Sequence, residues 1–119
     1  MRGDTSSGQK GREGEARAAS YLEDNGYSVI RRNFRSRRGE IDIVAEGDES
    51  LVFVEVKTWD SYSAESLERA IGASKRRKIR RTSEYFLLKN PGFRARAIRF
   101  DVMLVSDGMR QFQHIKNAF

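Results

Sequence analysis

The chain has 119 residues, of which 38% are hydrophobic, and this suits a single domain with a modest core. The absence of cysteine excludes disulfides and thiolate metal sites, and the single histidine, His114, excludes any mechanism that needs two histidines. No apolar run reaches the ~20 residues that span a bilayer, and residues 1–10 lack the apolar stretch of a secretory signal. A soluble cytoplasmic protein without a membrane partner is therefore expected.

A net charge of +6 is concentrated in two basic stretches of the chain. Basic clusters attract polyanions, of which nucleic acid is the commonest. For one such cluster, a solvated basic surface is the simpler interpretation. With two clusters, a solvated surface and a nucleic-acid-binding surface are equally favoured. The first stretch contains Arg31, Arg32, Arg35, Arg37 and Arg38, and the second contains Lys75, Arg76, Arg77, Lys78, Arg80 and Arg81.

The N-terminal half of the chain predicts a tail, a helix and three strands. Residues 1–7 are small and polar, which indicates a disordered tail in front of a single domain over 8–119. A helical pattern covers 8–25 and stops at Gly26, a residue that commonly ends helices. Alternating apolar residues then predict three strands, over 27–33, 40–46 and 51–58.

The C-terminal half predicts a helical region followed by two strands. Residues 64–73 and 74–88 have helical patterns, with Ser74 as the N-cap of the second piece and Asn90-Pro91-Gly92 as its stop. Two further strands are predicted over 97–105 and 110–115, on either side of a turn. The order α, β, β, β, α, β, β indicates an α/β fold with a mixed sheet covered by helices.

Charged residues interrupt the two apolar central strands. The short polar connection between these strands makes them antiparallel neighbours, and side chains alternate between the faces of a strand. Ile41 and Ile43 should therefore share one face, with Asp42 on the other. Matching the apolar faces of the two strands brings Asp42 onto the same face as Glu55 and Lys57.

Charges among apolar residues are costly unless they pair or bind a metal. An ion pair of Lys57 with Glu55 or Asp42 would fix the strand register, but it leaves one carboxylate over. A divalent cation accounts for all three charges better. Mg²⁺ prefers oxygen ligands, which Asp42, Glu55 and the carbonyl of Val56 could supply, and it lowers the pKa of a bound water. Lys57 would orient that water or offset charge on the phosphorane.

Short motifs occur in order along nearly the whole chain. They are Gly11-Arg12-Glu13-Gly14-Glu15, Gly26-Tyr27, Arg32-Asn33-Phe34-Arg35, Gly39-Glu40-Ile41-Asp42, Phe53-Val54-Glu55-Val56-Lys57-Thr58 and Arg99-Phe100-Asp101-Val102. Asp42 with Glu55-Val56-Lys57 resembles the D…(D/E)xK signature of the restriction-endonuclease-like PD-(D/E)xK superfamily. The whole set resembles the YraN family of uncharacterised bacterial proteins and is similar to archaeal Holliday-junction resolvases.

This resemblance implies a restriction-endonuclease-like αβββαβ core, a mixed central sheet flanked by helices, and Mg²⁺ or Mn²⁺ as the cofactor. It implies that Asp42 and Glu55 are metal ligands, that Lys57 is the catalytic lysine, and that Glu15 on the first helix is a further catalytic and metal-binding acid. Trp59 departs from the pattern, because the family has arginine there. The likeness to resolvases also allows branched DNA as the substrate and a homodimer as the assembly.

Four other residues admit two interpretations. Glu15 could instead meet the dipole of the helix start or pair with Arg12. Asp101 could buttress a basic site residue, but pairing with Arg99 in a structural role is favoured. Structural roles are also favoured for His114 and, as core packing rather than base stacking, for Tyr85.

The sequence thus predicts a metal-dependent endonuclease that hydrolyses phosphodiester bonds in nucleic acid, with DNA expected. The alternative is a non-catalytic nucleic-acid-binding module with the same fold, and a weaker one is a domain that binds an acidic protein. Phosphate contacts are expected from Arg35, Arg37, Arg38, Lys75 and Lys78.

Overall fold

Two helices and five strands make up the part of the chain that the structure, a computed structural model, describes: residues 2–59, 71–106 and 112–119. The predicted element order is confirmed over these residues. Neither helix is long and apolar enough to cross a membrane. In chain order the elements are α1 (Arg2–Asp24), β1 (Ser28–Ser36), β2 (Gly39–Gly47), β3 (Ser50–Trp59), α2 (Ala73–Lys89), a 3₁₀ turn (Pro91–Phe93), β4 (Ala97–Ser106) and β5 (Phe112–Ile115).

The boundaries of the helices differ from the predicted ones. α1 begins at Arg2 rather than at Gly8, while the separation of residues 1–7 as a tail stays a prediction. α2 begins at Ala73 with Gly72 as its N-cap, so the prediction of Ser74 as N-cap was wrong. Gly72 makes no side-chain capping bond; its extended backbone sets the start of the helix. The predicted helical piece over 64–73 lies outside the described residues, apart from its last three.

The five strands form one mixed sheet in the order β1-β2-β3-β4-β5. β1, β2 and β3 are antiparallel neighbours, β3 and β4 are parallel, and β4 and β5 are antiparallel. A parallel pair needs a crossover connection, and α2 lies in the crossover between β3 and β4. This mixed sheet with two helices is consistent with a restriction-endonuclease-like core.

The helices cover opposite faces of the sheet. Leu22 of α1 packs with Ile43, Val54 and Met103 on one face. α2 turns its buried stripe, which includes Ile79 and Phe86, towards the other face. Because residues three and four apart share a side of a helix, this stripe follows from the sequence. Its partners on the sheet are Phe34, Ile41, Val44, Leu51, Phe53 and Phe100.

A buried polar network holds β4 against β5. The Asp101 carboxylate is fully buried, and Arg99 donates to it at 2.9 Å from both Nε and Nη2. His114 Nε2 lies 2.7 Å from Asp101 Oδ2, and the backbone N–H of Asn117 donates to Oδ1 at 3.1 Å. The structural interpretations of Asp101 and His114 are therefore confirmed.

The same network reaches the turn between β2 and β3. Arg99 Nη1 donates to Asp48 at 3.1 Å, and Nη2 donates to the hydroxyl of Tyr27 at 2.6 Å. The Tyr27 hydroxyl in turn donates to Asp48. One guanidinium thus links three parts of the chain that are far apart in sequence, so the network ties the β2–β3 turn and the start of β1 to β4.

Asp101→Asn should lower the free energy of unfolding by about 3–5 kcal/mol, because it removes the buried one of the two carboxylates that pair with the Arg99 guanidinium. Burial alone would raise the pKa of Asp101, but His114, Arg99 and the Asn117 N–H outweigh it and hold this pKa below the ordinary value of 3.8. The difference in free energy of unfolding between wild type and Asp101→Asn should therefore be largest above pH 3.8 and shrink as the pH falls below it.

Urea unfolding at several pH values measures this difference. Asp24→Asn, at the exposed end of α1, is the matched control and should change stability by less than about 0.5 kcal/mol. Equal unfolding midpoints for wild type and Asp101→Asn would contradict the role of the network.

Candidate active site

The predicted acidic residues meet where β2 separates from β3. The register of these strands runs from Gly47 opposite Ser50 to Ile43 opposite Val54, and residues before Ile43 lie outside it. Beside this point, Asn33 of β1 has a left-handed backbone with φ of 56°. The backbone of β2 therefore stops pairing with that of β3 just before Ile43, and β3 no longer holds β2 to a regular strand geometry.

The irregularity overturns one prediction. Ile41 packs with the residues on the α2 side of the sheet, whereas Ile43 packs on the α1 side. The expectation that both share a face was wrong, because regular alternation is lost at the residue between them, Asp42.

Asp42 occupies the gap between the separating strands. Its Oδ2 accepts a hydrogen bond from the backbone N–H of Val56 at 2.8 Å. Val56 lies beyond the residues of β3 that pair with the backbone of β2. Burial and the nearby Glu55 carboxylate raise the pKa of Asp42 to about 8, with smaller contributions from Glu15 and Glu40. The Val56 N–H opposes this rise but does not cancel it. A cation beside Asp42 would favour its charged form and lower this pKa.

Glu55 and Lys57 extend from β3 on the side of the sheet that α2 covers. The Glu55 side chain is only 6% exposed, and Lys57 Nζ lies 3.8 Å from its Oε2. Lys75 Nζ is closer to the same oxygen, at 2.9 Å. Burial disfavours the charged Lys75, but the bond to Glu55 and the charges of Glu55 and Asp42 outweigh it and raise its pKa.

Lys75 thus belongs to this site, whereas the sequence placed it only among the phosphate contacts. The topology of the fold could have indicated that Lys75 lies at the site. In a crossover between parallel strands, the helix returns from the carboxyl end of the first strand, where α/β proteins form their sites. Lys75 stands in the first turn of α2, which follows β3 in the crossover.

Glu15 reaches the site from α1, on the other side of the sheet. The helix approaches β3 closely at Gly14, where a Cβ would lie 2.6 Å from Thr58 Oγ1. Glu15 interacts with the side chains of Asn33 and Asp42, and burial raises its pKa. Its Oε1 is buried and has no hydrogen-bond partner. Because α1 begins at Arg2, Glu15 is too far from the helix start for the dipole interpretation to hold.

Glu15, Asp42, Glu55 and two lysines therefore surround one gap in the sheet. Their distances are not those of a closed metal cage: within residues 2–59, 71–106 and 112–119, no three His, Cys, Asp or Glu side chains are grouped so as to hold one ion. The donors are all oxygen atoms, the type that Mg²⁺ and Mn²⁺ prefer.

The other predicted phosphate contacts lie around the β1–β2 turn. Arg35 is exposed and pairs with Glu40 at 3.4 Å. Arg37 and Arg38 line a cavity together with Ser36 and Tyr85. Lys78 is exposed on α2, and its Cβ lies close to Gly39 of the turn. Lys78 of α2 thus lies beside the turn that carries Arg37 and Arg38.

The fold and site define a mixed α/β protein with acidic and basic side chains at a split between two sheet strands. The model of the family described as "Uncharacterised protein family UPF0102" matches residues 14–105, which is most of the chain. The chain therefore belongs to family UPF0102, the YraN family that its motifs indicated.

Relatives support the same conclusion. A UPF0102 protein of Persephonella marina is 43% identical over 110 residues, which is 92% of each chain. One of Syntrophomonas wolfei is 43% identical over 108 residues, or 89% of this chain and 93% of the relative. One of Moorella thermoacetica is 41% identical over 115 residues, or 93% of this chain and 95% of the relative.

Asp42→Asn should stabilise the metal-free protein. Because the folded-state pKa of Asp42 lies above the ordinary 3.8, ionisation of this one group destabilises the fold increasingly as the pH rises from 3.8 towards about 8. Asparagine can still accept the Val56 N–H but carries no charge, so the variant should lose this pH dependence.

Near neutral pH the gain should be on the order of 1–3 kcal/mol, less than the full pKa shift implies because the site is partly open to water. Urea unfolding in EDTA measures it. A variant that is less stable than wild type at every pH would contradict the arrangement of charges around Asp42.

Proposed function

We propose that this protein is a metal-dependent nuclease of the PD-(D/E)xK superfamily that hydrolyses phosphodiester bonds, with DNA as the expected substrate. The observation that carries the proposal is the pair of carboxylates, Asp42 and Glu55, held beside Lys57 and Lys75 at the split in the sheet. Glu55 helps to raise the pKa of Asp42, as a neighbouring carboxylate does, and a cation between the two acids would relieve this repulsion. The two lysines beside them suit an anionic substrate.

Asp42 and Glu55 are the residues that would hold the cation. The raised pKa of Asp42 and the unpartnered Oε1 of Glu15 both indicate a site short of positive charge or of hydrogen-bond donors. Mg²⁺ retains several waters and often takes only one or two carboxylates from a protein, so a closed set of three acids is not required. When bound, such an ion supplies a more acidic water and offsets charge on a phosphoryl oxygen.

The lysines have separable roles in this proposal. Lys57 lies at the rim of the site, about a third exposed, where its ammonium can contact the scissile phosphate or the attacking water. Lys75 pairs with Glu55 at the distance of a direct hydrogen bond. A cation bound to Glu55 would repel this ammonium, so Lys75 would turn from Glu55 to the substrate phosphate as the site fills.

One observation favours the alternative of a binding module without catalysis. Lys75 and Lys57 both lie within ion-pair distance of Glu55, as they would in a purely structural ion pair. Such a module would bind nucleic acid with strong salt dependence and would not need Asp42.

Cleavage separates the two functions. Branched, single-stranded and duplex DNA, and RNA of matching sequence, are incubated with protein and Mg²⁺ or Mn²⁺. Lys57→Ala and Asp42→Asn should each lower the cleavage rate by about 100-fold or more, because each removes a charge that acts on the reacting phosphate or its metal. Lys116→Ala, an exposed lysine on the last turn, is the control and should cleave as wild type does. Equal rates for wild type and Lys57→Ala on every substrate would refute the role of Lys57.

Titration calorimetry with Mn²⁺ tests the cation site without any substrate. Wild type should bind the ion, and Asp42→Asn and Glu55→Gln should lose most of the heat, whereas Glu84→Gln on the exposed face of α2 should retain it. Binding that is unchanged in Asp42→Asn and Glu55→Gln, or absent from the wild type, would favour the non-catalytic module.

A further inference from the structure

We infer that the cavity between the β1–β2 turn and α2, here called the Tyr85 pocket, binds one unpaired nucleobase of the substrate strand. It is lined by Ser36, Arg37, Arg38 and Tyr85 and has a volume of about 420 Å³. That volume lies within the ~300–1,000 Å³ typical of small-molecule sites. The inference rests on the proposed function, because it names the kind of strand that the active site would receive.

The Tyr85 ring is placed to stack on a base. It is 38% exposed, one of the few large hydrophobic side chains of the described chain that reach solvent, so the preference for core packing was only half right. One side of the ring rests near Phe34, with centroids 6.0 Å apart and planes tilted by 35°. Lys89 Nζ lies 5.6 Å from its centroid. A partly exposed aromatic ring of this kind is a sequence-tolerant stacking surface for nucleobases.

The arginines of the pocket suit the backbone that carries such a base. Arg37 and Arg38 are exposed at the tip of the turn, and the Arg38 N–H donates to Ser36 Oγ at 3.1 Å, which shapes the tip. Neither guanidinium forms an ion pair within residues 12–58, 71–106 and 112–119, whereas nearby Arg35 pairs with Glu40. Two guanidiniums beside an aromatic ring match a phosphate beside a base.

α2 connects the pocket to the active site. Lys75, Lys78, Thr82 and Tyr85 are three or four residues apart and therefore lie along one side of the helix. A Cβ at Gly39 would lie 3.2 Å from Thr82 Oγ1 and 3.6 Å from Lys78 Cβ, so the β1–β2 turn rests against the middle of this row. Lys75, which pairs with Glu55, thus stands at one end of the row and the Tyr85 ring at the other, with the buried Thr82 under the turn between them.

The length of this row fits a short piece of one strand. At 1.5 Å per residue, Lys75 and Tyr85 are ~15 Å apart along the helix axis. This is about four steps of a stacked strand at ~3.4 Å each. A strand whose phosphate meets Lys75 can therefore place a base in the Tyr85 pocket only a few nucleotides away.

The substrate class follows from the pocket. Inside a duplex both faces of every base are stacked, so a base must leave the helix before a protein ring can take it. The Tyr85 pocket accordingly favours single strands and the single-stranded side of a junction over continuous duplex. A purely structural Tyr85 would show no such preference.

Binding measured in EDTA tests the pocket independently of cleavage. The probes are a single-stranded DNA oligonucleotide and a blunt duplex of the same sequence, in a fluorescence anisotropy titration. Tyr85→Ala should weaken single-strand binding by about 10-fold or more and leave duplex binding within about twofold. Tyr85→Phe should bind both as wild type does, because it keeps the ring. Leu88→Ala, an apolar residue 65% exposed on the same helix, should change neither.

A reporter base locates the stacked nucleotide. With 2-aminopurine at successive positions of the single strand, one position should be quenched by wild type and Tyr85→Phe and not by Tyr85→Ala. The inference is overturned if Tyr85→Ala binds the single strand as wild type does, or if it weakens single strand and duplex equally. If these results hold while Lys57→Ala and Asp42→Asn leave cleavage unchanged, the nuclease proposal fails and the pocket stands; the reverse pattern refutes the pocket alone.

Discussion

The hydrogen bond from the Val56 N–H to the Asp42 carboxylate is the contact on which the rest of this site depends. It forms where two antiparallel strands stop pairing, so a side chain takes a backbone donor that the sheet leaves free. The resulting gap opens the sheet to both of its faces. Glu15 can then approach Asp42 from α1 while Lys75 approaches Glu55 from α2. A regularly paired sheet would keep these groups on separate faces.

The gap costs stability that other parts of the fold must supply. Buried carboxylates that face one another destabilise the folded state unless a cation joins them. The neighbouring strand β4 carries a network in which Asp101 has a donor for each of its oxygens, and apolar layers pack on both faces of the sheet. An unfavourable cluster of charges, held by a surrounding fold whose polar groups are hydrogen-bonded, is typical of functional sites.

Much of the fold followed from the pattern of the sequence, since strand alternation and helical stripes are local properties. The order of elements, the mixed sheet and the common side of Glu55 and Lys57 could all be predicted from such patterns. The opposite orientations of Ile41 and Ile43 could not, because they depend on where β2 leaves β3. Lys75 and Tyr85 also needed the structure: helical spacing gives the side of α2 on which they lie, but not which part of the sheet faces it.

A single experiment addresses the claim that Asp42 and Glu55 share a cation. Crystals of the protein grown with Mn²⁺ would be measured at a wavelength where manganese scatters anomalously. If the two residues share the ion, one strong anomalous peak should lie about 2.0–2.6 Å from a carboxylate oxygen of each, with the Lys75 ammonium displaced from Glu55. No peak at saturating Mn²⁺, together with an intact contact between Lys75 and Glu55, would contradict it.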